Sequence, residues 1–423
     1  MYVKRLKINN FRCFESVELT LNYPGMAGTA ELQHAGNVNL FLGANGSGKS
    51  SIFKALPLAV LAPVIKSSGL NADYFVRRKP HEELEGGDGN PILIKDRANI
   101  EAHLVLNEID TKSLTVARDT IIGYTVIERT GDVEEIISIA FNDADLWQNI
   151  FYDDSPAFFL TAYGANRRTE RPSGYSEGNR SPRYHRVAGQ FEEYVGMVPF
   201  SLAHLQLKET RYLDEAVTIV NGLLPDEVRL TGAIDGQRRP LFNCDGIRMP
   251  FDALSDGYRT FIGWVWDLLY QLSGLKTSSR RRRKLIDFTG VVIVDEIDLF
   301  LHPEWQRTLL GQISQTFPNL QFLFSSHSPL VAGSVDAQNI FVLGDHKVEQ
   351  YQEDIYGLTA NQVLTSSYFG LRSTRAPMTG TLADAARRTL GFADPASLGQ
   401  QAESEDTEVQ DQVRRMLEEI RSR

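Results

Sequence analysis

Eight residues, Gly43-Ala44-Asn45-Gly46-Ser47-Gly48-Lys49-Ser50, fit the pattern G-x-x-x-x-G-K-[ST]. The glycines let such a loop curl until successive backbone N–H groups, from Asn45, Gly46 and Gly48 to Ser51, point at one phosphate chain. Lys49 is expected to reach the terminal phosphates as a point charge, and Ser50 to ligate Mg²⁺. A second station is Asp295-Glu296. There the first carboxylate can hold Mg²⁺ through water and the second can polarise an attacking water as general base. His327 is a third, its imidazole able to touch the terminal phosphate. Ser255 opens a helix and offers a hydroxyl and backbone N–H groups to an anion.

Stretches of regular pattern must bring these stations together. The apolar run Val38, Leu40, Phe41, Leu42 precedes the loop, and a helix beginning Ser51-Ile52-Phe53-Lys54-Ala55 follows it. That helix is expected to end or kink at Pro57 and Pro63. Gly290-Val291-Val292-Ile293-Val294 is uninterrupted and apolar, as strands in the middle of a parallel sheet are, and it runs straight into Asp295. Phe322-Leu323-Phe324 is another buried strand, ending at Ser325-Ser326-His327. After Ser255, the residues Phe261, Trp264, Val265, Leu268, Leu269 and Leu272 share one helical face. Strands and helices alternating around such a loop imply an α/β fold of the P-loop NTPase type, with ligands at the carboxyl ends of the strands.

The remaining stretches suggest four parts. Residues 1–65 and 250–345 form the core. Residues 66–145 form an antiparallel β lobe, since Ile100, Ala102, Leu104 and Leu106 alternate and further β-type runs follow at Thr120–Ile127 and Glu135–Phe141. Residues 146–249 are read as a helical and loop insertion, and 346–423 as a small C-terminal helical extension, with Val409, Val413, Met416, Leu417 and Ile420 on one face.

With 44 basic and 54 acidic residues the net charge is −10, which disfavours indiscriminate binding to nucleic acid. Two local basic stretches remain candidates for it: Arg280–Lys284, and the loop over 167–186, read as exposed. Cys13 and Cys244 are the two cysteines, so no disulfide framework or zinc site is indicated. The N-terminus lacks the apolar stretch of a signal peptide and no long apolar run occurs, so a cytoplasmic protein without a membrane partner is expected.

Taken together, the stations resemble the ABC-type ATPases, and among them the SMC/RecF/OLD group. Gly43–Ser50 matches the Walker A loop, Leu254–Tyr258 the signature motif, Val291–Glu296 Walker B, Ile297–Pro303 the D-loop and His327 the switch histidine. The opening Ile8-Asn9-Asn10-Phe11-Arg12-Cys13-Phe14 looks like the group's first strand and turn, which implies that Arg12 lies close to the nucleotide. The resemblance implies ATP and Mg²⁺ as cofactors. It also implies a homodimer of heads, or a larger oligomer, in which Ser255 and Gly257 of one head close on the γ-phosphate held by the other. The sequence departs from the group at the signature, where Asp256 stands for the first glycine and Tyr258 for the last residue. No Q-loop glutamine is found, and Tyr163-Gly164-Ala165-Asn166-Arg167-Arg168 occupies its place. The last phrase, Leu254–Arg259 and Asp295–Pro303 are also similar to the ATPase subunits of Septu and retron anti-phage systems, the PtuA type. That similarity implies a sensor or regulatory scaffold for a separately encoded HNH nuclease, with slow or partner-dependent turnover and no nuclease domain of its own. A RecF-like DNA-binding ATPase of DNA repair is the alternative.

Overall fold

A computed structural model of the chain describes residues 1–26, 35–70, 73–78, 95–108, 110–111, 119–141, 157–167, 180–193, 195–237, 239–275 and 282–374. Alternation at the N-terminus gives Tyr2–Phe11 (β1) and Phe14–Thr20 (β2), an antiparallel pair turning at Arg12-Cys13, where Arg12 has φ +52°. Next come Val38–Gly43 (β3), the phosphate loop and Lys49–Ser67 (α1). Lys95–Val105 (β4), Thr120–Thr130 (β5) and Val133–Phe141 (β6) form the expected meander. They join β1 and β2 in a five-stranded antiparallel sheet of order β2-β1-β4-β5-β6. The lobe is therefore not confined to 66–145. Alternation along β1 and β2 tells that one face is buried, but not which sheet buries it.

The stretch 146–249, expected to be helix and loop, holds more strand than that. Leu160–Tyr163 (β7) is four buried residues at the edge of the core sheet. Three helices follow: Pro182–Ala188 (α2), Phe200–Glu209 (α3) and Leu213–Leu223 (α4). Val228–Ile234 (β8), Pro240–Cys244 (β9) and Ile247–Pro250 (β10) then make a small antiparallel sheet of their own. The amphipathic helix is Asp256–Ser273 (α5). Gly290–Val294 (β11), Leu320–Ser326 (β12), Ile340–Gly344 (β13) and Lys347–Glu349 (β14) complete the core sheet, of order β14-β13-β3-β12-β11-β7. Every neighbouring pair in it is parallel except β13 with β14. The helical face built on Val409–Ile420 lies outside the described residues.

The core strands read as continuous apolar runs because both faces of the sheet are buried. Val291, Ile293, Leu323 and Phe41 pack with α1 and the antiparallel sheet. Val292, Val294, Phe322, Leu40 and Leu42 face the opposite way, towards α3, α4 and α5. Helix α1 runs through both prolines to Ser67 and leaves helical geometry at Leu61, where φ is −118° and ψ 19°. A proline removes one N–H from the ladder and crowds the preceding turn, which explains the kink. Nearby, Leu58 O accepts from Thr125 Oγ1 at 2.8 Å. Among the described residues α1 is the one helix long and apolar enough to cross a membrane, and its apolar side chains are buried inside the protein.

Candidate nucleotide site

The carboxyl ends of β3, β12 and β11 lie side by side, with Leu42 opposite Ser326 and Val294 opposite Phe324. That register brings together stations far apart in sequence. Lys49 is buried and its Nζ donates to Gly43 O at 2.7 Å, Ala44 O at 3.2 Å and His327 Nε2 at 2.9 Å. Burial holds the Lys49 ammonium below its ordinary pKa, and the carboxylates of Asp295, Glu296 and Asp298 pull it back up. Ser50 Oγ donates to Asp295 Oδ2 at 2.8 Å. Asp295 Oδ1 accepts from Ser325 Oγ, and the same hydroxyl oxygen accepts from Glu296 N at 2.7 Å. Arg12 Nε donates to Ser51 Oγ at 3.1 Å. Asn45, Gly46, Gly48, Asp295, Glu296 and His327 all line one cleft of about 510 Å³. The loop needs glycine at position 48: φ is +110°, and a Cβ would stand 2.4 Å from the Phe14 ring and 2.8 Å from Cys13 Sγ.

Glu296 has φ +50°, a conformation that costs energy for any residue with a side chain and that something must hold. Arg167 holds it. This guanidinium is buried, and it donates from Nη1 to Asp295 O and from Nη2 to Glu296 O at 2.9 Å. It reaches there because β7 lies beside β11, with Asp295 N donating to Tyr163 O at 2.9 Å. Burial lowers the Arg167 pKa to about 10 against the pull of Asp295, Glu296 and Asp298. In the place of a Q-loop glutamine, a cation braces the backbone of the two acidic residues. Arg167→Ala should leave nucleotide affinity within about threefold and lower turnover by roughly a hundredfold, because small misplacements of a catalytic group cost that much. Parallel binding and steady-state hydrolysis measurements check it; equal losses in both would show that the whole cleft depends on Arg167.

Ser255 and Gly257 are not in this cleft. They line a second one of about 590 Å³, with Tyr258, Phe300, His302 and Trp305 among its other walls. The Ser255 hydroxyl makes no cap hydrogen bond to α5. Gly257 is buried, and a Cβ there would come within 2.3 Å of Phe300 O, so the start of α5 touches the loop after β11 backbone to backbone. Gly257→Ala should therefore destabilise the fold by about 1–3 kcal/mol, since a backbone oxygen cannot swing aside. Urea titration of both proteins gives that difference directly.

The family described as "AAA domain, putative AbiEii toxin, Type IV TA system" matches residues 38–333. The chain belongs to this family. Its motifs resemble those of the ABC-type ATPases of the SMC/RecF group, and it is similar to the Septu protein PtuA of Bacillus mycoides (strain KBAB4), 23% identical over 88% of this chain and 45% of the relative. The Retron Ec83 probable ATPase of Escherichia coli is 32% identical over 31% of this chain and 24% of its own length. The chain thus spans less than half the length of these curated relatives. The SMC head domain from Thermotoga maritima aligns with 84% of this chain and all of its own at 15% identity and a TM-score of 0.43.

Two features fit this AAA-family chain to a nucleotide and its metal. Ser47 Oγ is buried in the loop without a hydrogen-bond partner, as an atom awaiting a phosphate oxygen would be. Among the described residues no three His, Cys, Asp or Glu side chains gather to hold a metal alone. Ser50 and Asp295 supply two ligands, which suits Mg²⁺ arriving with phosphate oxygens and water.

Of the basic loop, residues 168–179 lie outside the described residues, and the expected exposure fails at three of the described arginines. Arg183 is 1% exposed and donates to Ala157 O and Phe158 O. Arg186 is buried, with its Nε donating to Gln271 Oε1, and Arg167 serves the acidic pair. Each donates to carbonyl or amide oxygens inside the protein, so these three form no exposed patch for nucleic acid. In the other stretch, Arg280 and Arg281 lie outside the described residues, while Arg282 and Arg283 stack over Tyr212 and Phe288. Sequence reasoning missed Ser325, which joins Asp295 to Glu296; its place at the end of an apolar strand, two residues before His327, was the available signal.

Proposed function

We propose that this chain binds and hydrolyses ATP with Mg²⁺ and uses that cycle as the sensor and regulatory scaffold of a bacterial anti-phage complex, controlling a separately encoded HNH-type nuclease. The observation that carries the ATPase reading is the chain of contacts Ser50–Asp295–Ser325–Glu296 beside Lys49. Bound with the nucleotide, Mg²⁺ supplies positive charge to the phosphate oxygens. Lys49 exchanges its two carbonyl partners for phosphate oxygens, and the His327 ring beside it orients the terminal phosphate by donating an N–H to it. Glu296, fixed from behind, takes the proton of the attacking water.

Two heads are needed for a complete site. Support comes from Ser255 and Gly257 lining a cleft that shares no lining residue with the first. Ser255→Arg should still bind ATP as a monomer but no longer form the ATP-dependent dimer; light scattering with and without nucleotide decides it, and an unchanged dimer counts against the arrangement. The role in defence and the nuclease partner rest on likeness to the Septu and retron relatives. Purifying the chain together with the product of its genomic neighbour tests them. A neighbour with no nuclease or toxin character sinks that part of the reading and leaves the ATPase standing.

A further inference from the structure

Asp267 is a buried carboxylate that no part of the phosphate chemistry uses. It lies on α5 between Trp266 and Leu268 and is 5% exposed. Burial holds its carboxyl above the ordinary pKa range, against the pull of hydrogen bonds from Val198 N, Tyr163 and Gln271. An ionisable group in such a place carries a desolvation cost that its contacts must offset.

Those contacts converge on the strand beside the acidic pair. Asp267 Oδ2 accepts from the Tyr163 hydroxyl at 2.9 Å, and Oδ1 from Val198 N at 2.9 Å. Trp264, one turn before Asp267, sets its ring against that of Tyr163 with centroids 5.9 Å apart. Helix α5 thus grips Tyr163 by ring and hydroxyl together. The backbone of the same residue reaches the other way, where Tyr163 O accepts from Asp295 N at 2.9 Å. Arg167, four residues on, lines one cavity of about 50 Å³ with Asp267 and Tyr163. It is also the residue that braces the Asp295 and Glu296 carbonyls. Tyr163 therefore joins the backbone of the acidic pair to α5, at a point about 18 Å along the helix from Ser255.

We propose that Asp267 is a positioning residue for Glu296: through Tyr163 it fixes the end of β7, and with it the backbone of Asp295 and Glu296, to helix α5. This role rests on the ATPase reading above, and Asp267 exerts it from outside the nucleotide cleft. Loss of the tie leaves the phosphate loop, Lys49 and Ser50 in place. Nucleotide binding is then kept while the water-activating carboxylate is misplaced.

Hydrogen exchange and nucleotide kinetics on the full chain test this role. Tyr163→Phe removes one oxygen and keeps the ring on Trp264, while Asp267→Asn keeps the shape but offers one acceptor oxygen to two donors. In nucleotide-free protein, Tyr163→Phe should speed exchange of the 291–297 amides and leave the β8–β10 sheet as protected as before. With Mg²⁺, each variant should bind ATP within about threefold of wild type and turn over about ten- to a hundredfold more slowly. The double variant should be no slower than the slower single one, because both substitutions break one tie. If Asp267→Asn does not fold, Tyr163→Phe decides alone. The role is overturned by wild-type turnover in Tyr163→Phe, by equal losses of affinity and turnover, or by losses that multiply in the double variant. Unchanged exchange at 291–297 overturns it too. Wild-type protein without ATPase activity overturns the ATPase reading instead, and the exchange comparison then still decides whether the tie holds.

Discussion

Lys49→Ala abolishes measurable ATP binding at micromolar concentration while the protein stays folded. The magnitude follows from what the ammonium does in each state. Without nucleotide it is buried, depressed in pKa and satisfied by two loop carbonyls and His327 Nε2. Removing it relieves a desolvation cost and releases carbonyls that belong to a solvent-open cleft, so the loss in stability is small. With nucleotide it makes charge-assisted hydrogen bonds to phosphate oxygens, each contributing about 1.5–3 kcal/mol. Two such contacts correspond to a loss of roughly a hundredfold or more in affinity. Calorimetric titration with ATP, alongside thermal melting, measures both quantities. An unchanged dissociation constant would remove the loop from the binding site altogether.

Glu296→Gln gives the second large effect: turnover falls by about 10²–10⁴-fold while ATP remains bound. The substitution is chosen because the amide preserves shape. Glu296 N still donates to Ser325 Oγ, and Glu296 O still accepts from Arg167, so the positive φ is retained. What disappears is the carboxylate that accepts a proton from water. A protein that binds ATP but cannot cleave it accumulates in the engaged state, so the variant should elute as a stable ATP-containing dimer. Hydrolysis at the normal rate would show that another group is the base.

The parts of this fold legible in the sequence are those whose reasons are local. The phosphate loop is a continuous eight-residue pattern, and β3, β11 and β12 are apolar on both faces because two cores bury them. From those strand ends, the positions of Asp295, Glu296 and His327 follow. The parts that differ from the sequence expectation depend on partners distant in the chain. Nothing in Leu160–Tyr163 says that it flanks β11 rather than another strand, and nothing near Arg183 announces the Ala157 and Phe158 carbonyls that draw it inside. In the sequence, Arg167 stands only as the occupant of a place where glutamine is expected. Its work is defined by two carbonyls 128 and 129 positions away.

The contact between Gly257 and Phe300 has a mechanical meaning. Phe300 lies four positions after Glu296, and Gly257 two positions after Ser255. With no side chain between the two backbones, there is no compliant layer to absorb a displacement. A displacement at the tip of α5 would therefore meet the backbone of the acidic loop directly. In the paired arrangement proposed above, a phosphate arriving at Ser255 of one head would press on the loop that carries that head's own Glu296.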